Sequence, residues 1–215
     1  MKKNIFLVTG GCGFIGSHLV NRLLKENNKV IIIDDLSTGY IENINKDHED
    51  LEVYINKVEN FNFNSLEKVD GVFHLAAQAS VPISIKSFFS SSKSNMLSTF
   101  KIIEFCEKNT ISLVYASSSA IYGNLPFGYE DGDIQLLSPY AADKFSTEMY
   151  LSSSNIINNL PSFGLRFFNV YGPKQDSSSP YSGVISIFIN RLLNNKSLIV
   201  NGGYQTRDFV YIDDV

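Results

Sequence analysis

The 215-residue chain is short of several things, and each shortage excludes a class of protein. It has two cysteines, Cys12 and Cys106, far apart and outside any CxxC or Cys/His spacing. That excludes a disulfide framework, argues against a metal site, and points to a reducing cytoplasm. Cys12 reads as a small loop filler rather than a reactive thiol. No apolar run approaches the ~18 residues that a membrane span requires. Met1-Lys2-Lys3 opens like a secretory leader, but the apolar stretch behind it is only a strand long and runs into a glycine-rich loop. Positive charge is not in excess: 18 basic against 22 acidic residues give a formal charge of −4. There is thus no basic footprint for nucleic acid and no polybasic patch for a membrane surface. What remains is an ordinary globular composition, 44% hydrophobic and 19% charged, with material for one large core.

The chain is organised around Val8-Thr9-Gly10-Gly11-Cys12-Gly13-Phe14-Ile15-Gly16. Ahead of it, Ile5-Phe6-Leu7-Val8 is the continuous apolar run of a strand buried on both faces. Behind it, Ile15, Leu19, Leu23 and Leu24 recur at helical spacing, and a second apolar strand, Val30-Ile31-Ile32-Ile33, ends at Asp34. Gly10 permits the tight turn, Gly13 lets backbone N–H groups approach a pyrophosphate, and Gly16 allows the helix to pack closely on the strand. The spacing is G-x-x-G-x-x-G rather than G-x-G-x-x-G, so the strands, the helix and the terminal acid carry the reading, not the glycines alone. Asp34, 18 residues past Gly16, can accept the ribose hydroxyls of adenosine. An acid there, with no arginine just after it, repels a 2′-phosphate and favours NAD over NADP.

Further strands are expected at Leu51–Ile55, Gly71–Ala77, Ser112–Ala116 and Phe163–Val170. A short helix is expected over Asn62–Lys68, and an amphipathic one between Ser90 and Lys108 that buries Met96, Phe100, Ile103 and Cys106. Ser138-Pro139 supplies the N-cap and first position of a helix running from Tyr140 to Leu151. Serine runs at 90–92, 152–154 and 177–179 fall in predicted loops. Strands alternating with helices imply an α/β fold, a doubly wound parallel sheet with helices on both faces. From about residue 170 the rhythm changes to a loop, a helix (Val184–Leu193) and two strands (Ser197–Val200 and Arg207–Ile212). The expected division is therefore 1–170, a dinucleotide-binding domain, and 171–215, the beginning of a smaller and incomplete substrate lobe. About 45 residues are too few for an independent domain.

Three features mark the carboxyl edge of the sheet, where open α/β folds bind ligands. They are Ser117-Ser118-Ser119 at a strand end, Tyr140 and Lys144 in a Y-x-x-x-K on one helix face, and Asn169-Val170-Tyr171-Gly172-Pro173 after the last strand of the lobe. A phenol with an ordinary pKa near ~10 is a poor base at neutral pH. A neighbouring ammonium and a nicotinamide cation bring its proton transfer into range. Alone, Y-x-x-x-K is a solvated helix face and the serines are a turn; their order behind a dinucleotide unit is the signal.

With these motifs together, the whole chain resembles an extended short-chain dehydrogenase/reductase with a Rossmann-like sheet, of the NAD-dependent epimerase/dehydratase family. Within it, the likeness is to nucleotide-sugar 4-epimerases acting on UDP-glucose or UDP-N-acetylglucosamine. His74-Leu75-Ala76-Ala77-Gln78, Arg166-Phe167-Phe168-Asn169 and Thr206-Arg207-Asp208-Phe209-Val210 add to it. The resemblance implies Tyr140 as the base at the sugar O4, and Lys144 as binder of the nicotinamide ribose that lowers the Tyr140 pKa. Ser118 would be the catalytic hydroxyl, with Ser119 a second one in reach. Gly10, Gly13, Phe14, Ile15, Gly16, Asp34, Ala76, Ala77, Gln78 and Phe167 would line NAD, with Tyr140 and Lys144. Asn169, Val184, Ile199, Asn201 and Arg207 would hold the uridine diphosphate, and the helices containing Asn95 and Tyr140 would form a homodimer. Lys57 stands where the family usually has an aspartate for the adenine amino group, which removes an acceptor. Other sugar-nucleotide reactions remain open. A 4,6-dehydratase is discounted because Ser119-Ala120 occupy the positions of its Asp-Glu pair; a UDP-glucuronate decarboxylase is harder to set aside. A non-catalytic dinucleotide sensor has no need of Ser118, Tyr140 and Lys144 together.

Overall fold

A computed structural model describes residues 3–66, 68–177 and 182–215. In chain order it runs β1 (Ile5–Thr9), α1 (Phe14–Lys25), β2 (Lys29–Asp34), β3 (Leu51–Ile55), β4 (Gly71–His74), α2 (Val81–Lys86), α3 (Phe88–Asn109), β5 (Leu113–Ser118), α4 (Pro139–Asn158) and β6 (Ser162–Phe167). Then follow β7 (Asn169–Tyr171), α5 (Val184–Leu193) and β8 (Phe209–Tyr211). The first six strands form one parallel sheet in the order β3-β2-β1-β4-β5-β6. This is the doubly wound, Rossmann-like arrangement. The chain winds outward from β1 to β3, then returns to start β4 on the other side of β1, opening a crevice above the carboxyl ends of β1 and β4.

The register explains why these strands read as unbroken apolar runs. Leu7 pairs with Ile31 and Val8 with Ile32, and alternate side chains leave opposite faces of the pleat. Leu7, Ile31, Ile33, Val72 and Leu113 pack with Ile102, Phe105 and Leu151 of α3 and α4. Val8, Val30 and Ile32 pack with Val20, Leu23 and Leu24 of α1 on the other face. The sheet is therefore covered on both faces at β1 and β2. The α4 start follows its expected cap: Ser138 Oγ accepts from the Ala141 N–H at 3.1 Å, with Pro139 at the first helical position.

Several local expectations are corrected. The strand expected over 163–170 is two strands, because β6 ends at Phe167 and β7 leaves the main sheet to pair in parallel with β8. The Asn169 N–H and its Nδ2 both donate to the Asp208 carbonyl, which redirects the chain there. Ser197–Val200 is not a strand: Ile199 and Val200 are 60% and 63% exposed, and no described strand lies beside them. Of the helix expected at 62–68, only one 3-10 turn at Phe63–Ser65 forms, and Glu67 lies outside the described residues. Serines 90–92 and 152–154 lie inside α3 and α4, where Ser90 Oγ bonds back to the Ser87 carbonyl and Ser154 Oγ to Glu107. Ser178 and Ser179 of the third run lie outside the described residues.

The buried stripe of α3 is also rotated from expectation. Ser91, Asn95, Ser98, Thr99, Ile102, Phe105 and Cys106 face inward, while Phe100 stays exposed and meets Tyr150 of α4 edge-on at 5.0 Å. A stripe with so many small polar residues is stable inside only because α4 and the loop after β4 supply hydrogen-bond partners.

Candidate active site

The glycine loop connects β1 to α1 at the crevice. Gly10 sits at φ +72°, a left-handed conformation that favours glycine, and donates to the Ile33 carbonyl at 2.9 Å. A Cβ at Gly16 would lie 2.0 Å from the Gly10 carbonyl oxygen, so only glycine allows this approach of helix to loop. The α1 N-terminus, Gly13-Phe14-Ile15, has no side-chain cap and no acid in its first turn. The Gly13 N–H turns back to the Gly10 carbonyl at 3.2 Å, and the Phe14 and Ile15 N–H groups and the positive dipole end are left for an anion. Asp34 closes the unit at the tip of β2, buried, its two carboxylate oxygens accepting from the Cys12 and Leu36 N–H groups at 2.9 Å each. Burial raises its pKa, and those two backbone bonds offset part of the rise. Cys12 is buried with its thiol pushed up to about 12, chiefly by desolvation and then by Asp34. It is an inert filler at neutral pH.

Ala76, Ala77 and Gln78 follow β4 across the crevice, where Gln78 N–H donates to Asn95 Oδ1 at 2.8 Å. Ser118 ends β5 opposite Phe167, and its Oγ accepts from the Ala120 N–H at 3.1 Å. Tyr140, in the first turn of α4, has its phenol beside the Ser118 side chain, and its backbone N–H donates to Ser84 Oγ at 3.2 Å. Lys144 stands one turn on, its Nζ 5.8 Å from the Tyr140 ring centroid and donating to the Ala116 carbonyl at 2.7 Å. Both side chains are nearly buried, at 8% exposure each. Phenol, hydroxyl and ammonium thus converge at the carboxyl end of β5, beside the loop after β4.

The electrostatics differ from expectation. Burial raises the Tyr140 pKa, and the Ser118 hydrogen bond lowers it only in part. Lys144 itself is lowered to about 8, by desolvation first, with Asp143 opposing.

The model of the NAD dependent epimerase/dehydratase family matches residues 6–215. The chain belongs to that family. It is an NAD-dependent enzyme, and NAD is its cofactor. A solved UDP-N-acetylglucosamine 4-epimerase from Methanobrevibacter ruminantium superposes with a TM-score of 0.94 at 42% identity, covering 100% of this chain and 71% of that one. A Methanocaldococcus jannaschii protein provisionally named a UDP-glucose 4-epimerase is 42% identical over 217 residues, 98% of this chain and 70% of that protein. A UDP-N-acetyl-alpha-D-glucosaminuronate decarboxylase from Bacillus cytotoxicus is 33% identical over 227 residues, 100% of this chain and 69% of that enzyme.

The residues of this family member fit the cofactor. The uncapped α1 start meets the pyrophosphate's chemistry, the glycines at 10, 13 and 16 leave the loop backbone open to close approach, and Asp34 keeps lone pairs for ribose hydroxyls. Lys57 is exposed just beyond β3, where it precedes a 3-10 turn. Among the described residues, no group of three or more His, Cys, Asp or Glu converges as metal ligands would.

The expected substrate residues are less gathered. Pairing of β7 with β8 puts Asn169 opposite Phe209, two positions from Arg207, and the Asn169 amide is held by the Asp208 carbonyl at 3.0 Å. Ser119 opens the turn after β5, and Val184 opens α5 at 41% exposure. Ile199, Asn201 and Arg207 lie on an exposed irregular segment, where Arg207 bonds only the adjacent Thr206 carbonyl among the described residues.

Sequence reasoning missed a buried polar net beneath the site. His74 at the end of β4 is bonded to Thr9 Oγ1 at 2.7 Å and faces Thr99 Oγ1 at 3.4 Å. Burial, then the Lys144 charge, lowers its pKa to about 3, so it is neutral. Asn95 Nδ2 reaches the Gln78 carbonyl at 3.3 Å and Asp143 Oδ2 at 3.0 Å, joining α3, α4 and the loop after β4. A signal was available: Asn95, Ser98, Thr99 and Ile102 share one helical stripe, and polar residues on a buried stripe imply partners.

Proposed function

We propose that this family member catalyses NAD-dependent epimerisation at C4 of a UDP-hexose, UDP-glucose or its N-acetyl form, through a transient 4-keto sugar. The observation that carries the reading is the Tyr140 phenol set beside Ser118, with Lys144 one turn away at the crevice. A hydroxyl presented between Tyr140 and Ser118 can give its proton to the phenol oxygen while Ser118 holds the substrate oxygen in line. Bound in the crevice, NAD supplies a reversible hydride acceptor and a positive charge that favours the phenolate. Lys144 holds a ribose hydroxyl and adds its ammonium to the same end. Burial of Tyr140 keeps bulk water from competing for the proton. Gly10, Gly13, Phe14, Ile15, Gly16, Asp34, Ala76, Ala77, Gln78 and Phe167 line the cofactor on this reading.

Residues 1–170 form the NAD-binding part, and 171–215 begin the substrate lobe. Val184, Ile199, Asn201 and Arg207 of that lobe, with Asn169 just before it, face the uridine diphosphate, Arg207 as a charged donor to phosphate, while Ser119 offers the sugar a second hydroxyl beside Ser118. The chain works as a homodimer through α3 and α4, whose outer faces expose Leu97, Phe100, Met149, Tyr150 and Ile157. Its two free, buried thiols fit a reducing cytoplasm. Decarboxylation is the second reading, supported by the Bacillus cytotoxicus relative.

The test is turnover of UDP-glucose, UDP-N-acetylglucosamine and the corresponding uronates by the NAD-loaded protein, with Tyr140→Phe alongside. The expected result is interconversion of C4 epimers, abolished by Tyr140→Phe with NAD still bound. Carbon dioxide release from a uronate would favour the second reading, and equal rates for variant and wild type would remove Tyr140 from the chemistry.

A further inference from the structure

We propose that the buried Asp143 carboxylate, clamped by Asn95, is the counter-charge that keeps Lys144 in its ammonium form, which makes Asp143 a positioning residue for the reaction. The importance of that ammonium rests on the function proposed above; its protonation does not. Asp143 is 6% exposed and Lys144 8%, so two adjacent residues of α4 both carry ionisable groups into the interior. Adjacent helical residues do not face each other. Accordingly each is held by a different partner: Lys144 Nζ donates to the Ala116 carbonyl of β5, and Asp143 Oδ2 accepts from Asn95 Nδ2 of α3. Asn95 is fixed in turn by both backbone groups of Gln78, so the carboxylate cannot swing to solvent without giving up a donor held in place by the loop after β4.

A buried ammonium with no opposite charge gives up its proton. The groups around Lys144 leave one candidate for that charge. On α4 they are Tyr140, whose phenol burial keeps protonated, and Asp143. On β4 it is His74, held neutral by its low pKa. On α3, Asn95 and Thr99, the partners of Asp143 and His74, are uncharged. One turn further along α4, Glu148 is committed to Arg166 of β6 at 2.7 Å and to the Ser117 hydroxyl. Asp143, adjacent to Lys144 and paired with no other cation among the described residues, is therefore the negative charge left for it. Its influence agrees in direction with the Lys144 pKa, which desolvation lowers and Asp143 raises.

Removing the charge while keeping the shape tests this. In Asp143→Asn the new carbonyl oxygen can still accept from Asn95. The titration of Lys144 is read in the NAD-free and NAD-loaded protein by pH-dependent acylation of its amine, followed by peptide mass spectrometry. The midpoint is expected to fall by about one pH unit, leaving roughly tenfold more neutral amine at the same pH. The alkaline limb of kcat against pH should move down with it, with circular dichroism unchanged. An unaltered Lys144 midpoint in the folded variant would overturn the proposal. Should the amide fail to fold, Asp143→Ser removes the same charge without asking Asn95 for a second partner. If the midpoint moves as expected and no UDP-hexose is turned over by either protein, the counter-charge stands and the epimerase reading falls.

Discussion

Alanine at Gly16 and alanine at Gly13 should have opposite consequences. A Cβ at Gly16 falls 2.0 Å from the Gly10 carbonyl oxygen and 2.9 Å from both Gly10 C and Gly11 Cα. Non-bonded heavy atoms prefer about 3.5–4.0 Å, so the start of α1 must retreat by roughly 1 Å or more. The obstacles are backbone atoms, which have no rotamer to change. Retreat lifts Val20, Leu23 and Leu24 away from Val8 and Ile32, the core on that face of the sheet. Overpacking of this kind costs about 3 kcal/mol. For a chain of this size that lowers Tm by roughly 6–12 °C. At Gly13 the nearest atom to an added Cβ is the Gly10 oxygen at 3.3 Å, and φ is −73°, which alanine adopts freely. Gly13→Ala should keep stability within about 0.5 kcal/mol of wild type. Its methyl group, however, intrudes where the backbone approaches the pyrophosphate. Thermal melts with and without NAD separate the two: Gly16→Ala loses Tm in the absence of cofactor, whereas Gly13→Ala keeps it and loses the NAD-induced rise. A Gly16→Ala protein that melts with wild type would refute the packing account, and a wild-type NAD shift in Gly13→Ala would refute the placement of the pyrophosphate.

Two further outcomes are expected. Because the folded His74 pKa is about 3 against an ordinary 6.5, the unfolded chain binds the extra proton first as pH falls, and stability drops from pH 6.5 downward. Between pH 6.5 and 4.5 this one group should remove about 2.3 kcal/mol. Urea titrations of wild type and His74→Gln should show a shallower acid limb for the variant, and parallel limbs would refute the assignment. Phe100→Arg at the α3–α4 surface should convert a dimer to a monomer by light scattering while leaving the fold intact, and an unchanged mass would remove that face from the interface.

The sheet was legible in the sequence because strand burial is a local pattern. Ile5–Val8, Val30–Ile33 and Val72-Phe73 are apolar on consecutive positions, as a strand covered on both faces requires. The glycine loop, Asp34 and the Ser138-Pro139 cap were legible for the same reason, since each is a short-range steric or hydrogen-bonding requirement. So was the pairing of Tyr140 with Lys144, which helical spacing alone puts on one face. What stayed hidden depends on partners far away in the chain. Asn95 looked like an ordinary polar residue until folding set it against Gln78 and Asp143, 17 and 48 positions away. The α3 stripe was misread because apolar periodicity marked Met96 and Phe100, whereas the tertiary hydrogen bonds made the serine- and threonine-rich face the buried one. The break between β6 and β7 follows from Asp208, 39 residues beyond Asn169. The protonation of Tyr140, Lys144 and His74 was likewise decided only in three dimensions, because desolvation is a property of everything packed around a group and not of its neighbours in sequence.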